Sequence, residues 1–248
     1  RDVIESRGLG DVYKRQRIRY AVMLSDSDIT ALILTLKLAA ISTLILMIIG
    51  LPLAWWLART QWRGRFLIEA LVALPLVLPP TVLGFYLLIA FSPNAWLGSW
   101  YQQLTGSQLA FSFSGLVVGS VLYSLPFVVQ PLQTAFSAIK SDLLDAAATL
   151  RASPTDRFFS LVLPMARPGL IAAMVLGFAH TLGEFGVVLM IGGNLPGETQ
   201  VASVAMYEHV DTLQFGNAHA LAGALLILSF VLLAGVYATH KRYSVLRW

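Results

Sequence analysis

The apolar positions of this chain fall in long uninterrupted runs rather than in alternation or in narrow helical stripes. Five stretches stay apolar for the length a bilayer requires: Thr30 to Ala58, Leu67 to Phe91, Ser114 to Ala135, Gly169 to Gly192 and Ala218 to Ala238. At about 1.5 Å per helical residue, each reaches across a hydrocarbon core of roughly 30 Å. No water in that core can satisfy backbone groups, so such runs cross as helices. The strands of a barrel would instead alternate apolar and polar residues. The predicted fold class is all-α, a polytopic membrane protein of about five transmembrane helices.

The polar insertion between the third and fourth runs carries its own helical signals. Ser141 and Asp142 suit a helix start, and Leu143, Ala147 and Leu150 then share one face at spacings of four and three. A second start follows, with Ser153 suited to the N-cap, Pro154 to the first helical position and Asp156 to the first turn. Phe158, Phe159 and Val162 supply its apolar side before Pro164. Two short helices joined at an angle near Arg151 and Ala152 would form a stiff knob outside the membrane.

Composition agrees with the pattern: 57% hydrophobic and 12% charged residues in a chain of 248 leave too little polar surface for a water-soluble protein. The net charge is +4, and its distribution matters more than its sum. Arg59, Arg63 and Arg65 follow the first run; Lys140, Arg151, Arg157 and Arg167 lie between the third and fourth; Lys241, Arg242 and Arg247 follow the fifth. The connections Ser92 to Phe113 and Gly193 to Asn217 contain no Lys or Arg. The positive-inside rule therefore predicts an external N terminus and a cytoplasmic C terminus.

Arg1 to Tyr20 breaks this rule, with Arg1, Arg7, Lys14, Arg15, Arg17 and Arg19 on the external side and no apolar periodicity. Residues 1–22 are accordingly read as a non-native or disordered extension, and 23–248 as one transmembrane domain; a lost sixth, N-terminal helix is the alternative. Basic residues scattered between spans argue against a nucleic-acid partner. The chain has no cysteine, so thiol chemistry and disulfides are excluded.

Within the spans, a few residues contradict their surroundings. Pro79 and Pro80 remove two backbone donors, predicting a bend or unwound turn that places Pro79, Pro80 and Thr81 as candidates for a translocation path. Glu184 lies inside the fourth run, where an ionised carboxylate costs roughly 2.5 to 3.5 kcal/mol, so it is expected to face the bundle interior, a partner or water. His180 stands one turn earlier on the same expected helical face. Gly183 and Gly186 would permit close helix approach there. Lys37 is expected to snorkel to the outer interface, and Trp55, Trp56 and Trp62 to form an aromatic belt at the cytoplasmic one.

Enzymatic signatures are missing: no G-x-x-x-x-G-K-[ST], no H-E-x-x-H, no G-x-S-x-G, and no metal-ligand grouping of His180, His209, His219 and His240. An intramembrane hydrolase using His180 and Glu184 is the alternative of another class.

Three motifs carry a resemblance that covers the chain from Ser25 onward. Asp145 to Gly169 reads DAAATLRASPTDRFFSLVLPMARPG, Leu74 to Leu88 reads LPLVLPPTVLGFYLL, and Leu182 to Tyr207 reads LGEFGVVLMIGGNLPGETQVASVAMY. Together they resemble the permease subunits of molybdate ABC importers, with sulfate and tungstate permeases as alternatives. The resemblance implies an inner-membrane homodimer that translocates the anion by alternating access. It also implies two ABC ATPase subunits that hold the ATP and Mg, this chain carrying no cofactor of its own. A coupling loop at about 136–168 would meet the ATPase through Asp145, Ala146, Ala147, Leu150, Arg151, Ala152, Ser153, Leu163 and Pro164. A periplasmic anion-binding protein would dock on the two connections free of basic residues, and membrane lipid would surround the rest.

Arg151 stands where the family pattern has Gly, and a non-Gly residue in a left-handed turn costs roughly 1 to 2 kcal/mol. A carboxylate is a poor ligand for an oxyanion, so Glu184 is expected to brace the helices around the path or a gate rather than to bind substrate.

Overall fold

The computed structural model describes residues 24–245, with side chains described as far as 235; the N-terminal extension of 1–22 lies outside the described residues. All regular structure among the described residues is helical. Helix α1, Asp26–Arg59, opens on a capping box: the Asp28 N–H donates to Ser25 Oγ (3.2 Å), and the Ser25 N–H donates to the Asp28 carboxylate (3.1 Å). Its 34 residues exceed what a bilayer needs, so it overhangs the hydrocarbon layer.

The second apolar run is not one helix. It divides into α2, Arg65–Val77, and α3, Pro80–Phe91, bent by 112° at Leu78 and Pro79. Pro79 caps α3 and Pro80 occupies its first position, where a missing N–H is harmless. The expected break thus takes the form of a sharp corner. The connection after it is itself partly helical, with α4 at Trp96–Thr105 ending on Gly106 at φ +73°.

Helix α5, Phe113–Ser137, is the central post and packs against α1, α2 and, beyond the polar loop, the fourth run. Small residues set the spacing: Cβ atoms built at Gly50 of α1 and at Gly177 would lie 3.1 and 2.6 Å from Val128 of α5. In a membrane, where apolar burial drives helix association only weakly, such close approach is what holds helices together. One apolar core gathers Leu57, Val129, Leu132, Phe136 and Val162 near the polar loop; a second gathers Leu38, Phe91, Leu116, Val188, Ile191 and Val201 at the opposite end.

The polar loop contains α6, Ser141–Thr149, then α7, Pro154–Arg157, a π-helical turn at Phe158–Val162, and α8, Leu163–Met165. Lys140, not Ser141, is the N-cap of α6, and it makes no side-chain cap. The fourth run follows at 73° as α9, Arg167–Leu182, and breaks before α10, Gly186–Gly192. The connection behind it folds into α11, Ala202–Asp211, and α12, Phe215–Val245, is the last described element. Among the described residues, three helices are long and apolar enough to cross a membrane alone, and up to five spans result if each bent pair counts as one.

Candidate functional site

The joint in the polar loop is a complete Schellman motif. The Arg151 N–H donates to Ala148 O (2.9 Å), the Ala152 N–H donates to Ala147 O (3.2 Å), and Arg151 itself sits at φ +61°. A non-Gly residue therefore occupies the left-handed position. Immediately beyond, Ser153 caps α7 by accepting from the Asp156 N–H (3.1 Å), with Pro154 in the first turn. The second half of the loop is anchored inward: Phe158 stands edge-on to Trp55 of α1 at 5.4 Å and near Phe136 of α5 at 6.3 Å. Arg157 reaches across to donate to Leu144 O (3.3 Å). Leu163 and Pro164 form the last helical turn before the chain re-enters the bundle. Leu143, Leu150 and Phe159 are left exposed, Leu150 at 83%. Of the expected apolar face of α6, only Ala147 is half-buried, and Leu144 turns inward instead.

Inside the bundle, both helix breaks meet at one cavity of about 580 Å³. Pro80 and Thr81 line it from α3, Tyr123 from α5, His180 from α9, and Gly183, Glu184 and Gly186 from the second break. Pro79 is the corner residue that precedes Pro80. Gly186 is needed where α10 starts, because a Cβ there would lie 2.8 Å from Pro80 Cβ. Gly183 has no such neighbour: a Cβ there meets only its own helix's carbonyls at 3.8 Å, so the expected close approach rests on Gly186 alone.

Glu184 is buried, and the break puts it between α9 and α10 rather than on a helix with His180. The expected one-turn contact is consequently loose, 3.8 Å from His180 Nδ1 to Glu184 Oε1. The residues that do hold the carboxylate come from α5, four apart on one face. Ser120 donates to Oε2, and Ser124 donates to Oε1 at 3.0 Å. Ser124 Oγ also lies within hydrogen-bonding distance of His180 Nδ1 (2.8 Å) and Thr181 Oγ1 (3.0 Å), so the serine links the carboxyl to both side chains. Ser203 of α11 donates to the Glu184 main-chain carbonyl. The ring of His180 stacks on Phe127 with centroids 3.8 Å apart and an interplanar angle of 23°, and contacts Tyr123 at 4.7 Å.

A serine, a histidine and a carboxylate in contact invite comparison with a nucleophilic triad, but the order is wrong. Here the carboxylate holds the serine, whereas a triad needs it on the second nitrogen of the histidine. Among the described residues, no group of three His, Asp or Glu side chains is placed to bind a metal.

With this geometry in view, residues 50–244 match the family described as binding-protein-dependent transport system inner membrane component. The chain belongs to that family. It is 54% identical over 218 residues to the molybdenum transport system permease protein ModB of Azotobacter vinelandii, covering 88% of this chain and 96% of the relative. It is 40% identical over 185 residues to the Haemophilus influenzae protein of the same name, covering 75% and 81%. The sulfate transport system permease protein CysT of Escherichia coli is more distant, at 31% identity over 225 residues, 91% of this chain and 81% of that one. Among solved structures, the bacterial alginate ABC importer matches with a TM-score of 0.69 at 19% identity, over 89% of this chain and 80% of that chain. The methionine ABC transporter MetNI matches at 0.65 and 16%, over 88% and 99%.

As a binding-protein-dependent transport component, the chain is a multi-pass permease subunit of the inner membrane and not an enzyme. Membership also gives the departures from simple span geometry a setting, since broken helices at membrane depth are tolerated where they line a cavity or are buried in protein. The aromatic positions are the other correction. Trp56 and Trp62 are exposed, but Trp55 is half-buried and packs edge-on against Phe136 at 5.4 Å, so it belongs to the core. Lys37 is exposed with its ammonium 4.8 Å from the Phe113 ring centre.

Proposed function

We propose that this chain is the permease subunit of an ATP-driven molybdate importer. The observation that carries the reading is the 54% identity to a molybdenum permease over nearly the whole of both chains, against 31% to a sulfate permease. Two copies form the path; the N terminus is external and the C terminus cytoplasmic, a reading supported by the Arg and Lys of the connections between the spans. Each copy meets one ATPase subunit through the loop of about 136–168. Leu143, Leu150 and Phe159 supply apolar contact there, and the capped turn at Arg151 to Ser153 keeps the loop stiff. ATP and Mg are held by the ATPase. A periplasmic anion-binding protein delivers molybdate to the opposite side, onto the connections that contain α4 and α11.

On this reading the cavity around Pro80, Thr81, His180 and Gly186 faces the path. The Glu184 carboxyl is buried and taken up by Ser120 and Ser124 of α5, so on this reading it braces the break and does not bind the anion. The test is uptake by proteoliposomes that contain the permease, its ATPase and its binding protein. ATP-dependent molybdate uptake with little sulfate uptake is expected. Sulfate uptake that outcompetes molybdate would move the assignment to a sulfate permease, and a tagged chain that retains no ATPase would remove it from ATP-driven transport.

A further inference from the structure

A second cavity, of about 310 Å³, lies beside the first. Helices α5 and α9 line both, and the bent pair contributes α2 to one and α3 to the other. On α5, Tyr123 faces the upper cavity and Gln130 the lower; on α9, Ala179 faces the upper and Leu176 the lower. On the bent pair, Thr81 is above the corner and Leu76 below it. The lower cavity lies toward the polar loop, since it follows α5 down to Thr134.

Between the two stand Phe127, which lines the lower, and His180, which lines the upper, with their rings stacked. We propose that the Phe127–His180 stack is the gate between the two cavities, and that anion passes when it opens. This rests on the reading of the upper cavity as part of the path.

Two features fit a gate better than a static partition. Phe127 is flanked by Pro126 and Pro131, whose missing N–H groups leave the carbonyls of Leu122 and Phe127 without their helical donors. The segment that carries the ring is therefore the compliant part of α5. His180 is held from the other side: its Nδ1 is hydrogen-bonded to Ser124 (2.8 Å), which is fixed by Glu184 in the break between α9 and α10. A change of angle at that break moves the imidazole while the prolines let Phe127 follow or separate. An apolar ring across a path also excludes water and ions until it moves.

The experiment uses the complete transporter with its ATPase and binding protein in proteoliposomes, comparing ATP-driven molybdate uptake with efflux of preloaded molybdate without ATP. Phe127→Ala is expected to raise ATP-independent efflux by at least about tenfold, the rate change that about 1.4 kcal/mol of barrier produces. Phe127→Trp is expected to slow ATP-driven uptake and leave efflux unchanged. If both variants assemble and both fluxes stay at the unsubstituted level, the gate is wrong.

Because the chain contains no cysteine, a second measurement is independent of folding losses at Phe127. In the resting transporter, a membrane-impermeant maleimide is expected to reach Gln130→Cys only from the loop side and Thr81→Cys only from the opposite side. Labelling of both from one side overturns the gate. Thr81→Trp separates the two readings. Blocked uptake keeps the cavity in the path whatever Phe127 does, and normal uptake removes the path and the gate together.

Discussion

Gly186 and Pro80 touch where two broken spans meet, and the space between them is that of a single missing methyl group: a Cβ on Gly186 would lie 2.8 Å from Pro80 Cβ and 3.5 Å from the Thr81 nitrogen. Pro80 is a rigid ring and cannot turn aside. Gly186→Ala should therefore push α10 from α3, cost about 1–3 kcal/mol as overpacking does, and lower ATP-driven uptake. The loss of stability is read from the thermal unfolding midpoint of the purified transporter.

Glu184→Ala leaves the Ser120 and Ser124 hydroxyls without their acceptor in a buried site. Each unsatisfied group costs about 1–3 kcal/mol, whereas Glu184→Gln retains a carbonyl for one serine and an amide for the other. The alanine variant is expected to assemble poorly and the glutamine variant nearly normally, as judged by yield of the monodisperse transporter. Equal yields would mean that the carboxylate does not brace the break.

Arg151→Gly removes a side chain from a left-handed position and should recover about 1–2 kcal/mol of local strain. ATPase coupling is expected to be unchanged or tighter. A clear loss of binding-protein-stimulated ATP hydrolysis would show that the Arg151 guanidinium makes a contact of its own with the ATPase.

At the other end of the molecule, buried Asp28 accepts from His209 Nε2 at 2.8 Å and joins the first turn of α1 to α11. A hydrogen bond to a charged group contributes about 1.5–3 kcal/mol. Asp28→Asn and His209→Ala should each destabilise the protein, and the double substitution should cost less than the sum of the two. Additive losses in that cycle would show that the pair is not coupled.

Legibility in the sequence depended on how local the cause was. The corner at Pro79 was readable because proline removes its own hydrogen bond, and the Ser153 cap because capping acts within three residues. The break at Gly183 to Phe185 was hidden by a continuous hydropathic run with no proline. The available signal was two glycines bracketing a carboxylate. Ser120 and Ser124 were missed for a related reason. Small hydroxyls do not lower hydropathy enough to interrupt a span; the signal that could have found them is their spacing of four residues, which puts both on one helix face. Trp55 shows the remaining limit: hydropathy places a residue at a depth in the bilayer but does not say which way it faces.

Arg59, in the last turn of α1, donates to the carbonyls of Phe136 (3.2 Å) and Ile139 (2.8 Å) at the end of α5, and its guanidinium lies 5.0 Å from the Trp55 ring centre. Helix α5 has no basic residue in its own last turn, so α1 provides the cation that its exposed carbonyls attract. One charge thus splices the ends of two spans at the point where the polar loop departs. A force applied to that loop, as the proposed coupling to an ATPase would require, would then be shared by α1 and α5 together, and the first span would move with the loop instead of standing as a passive fence around it.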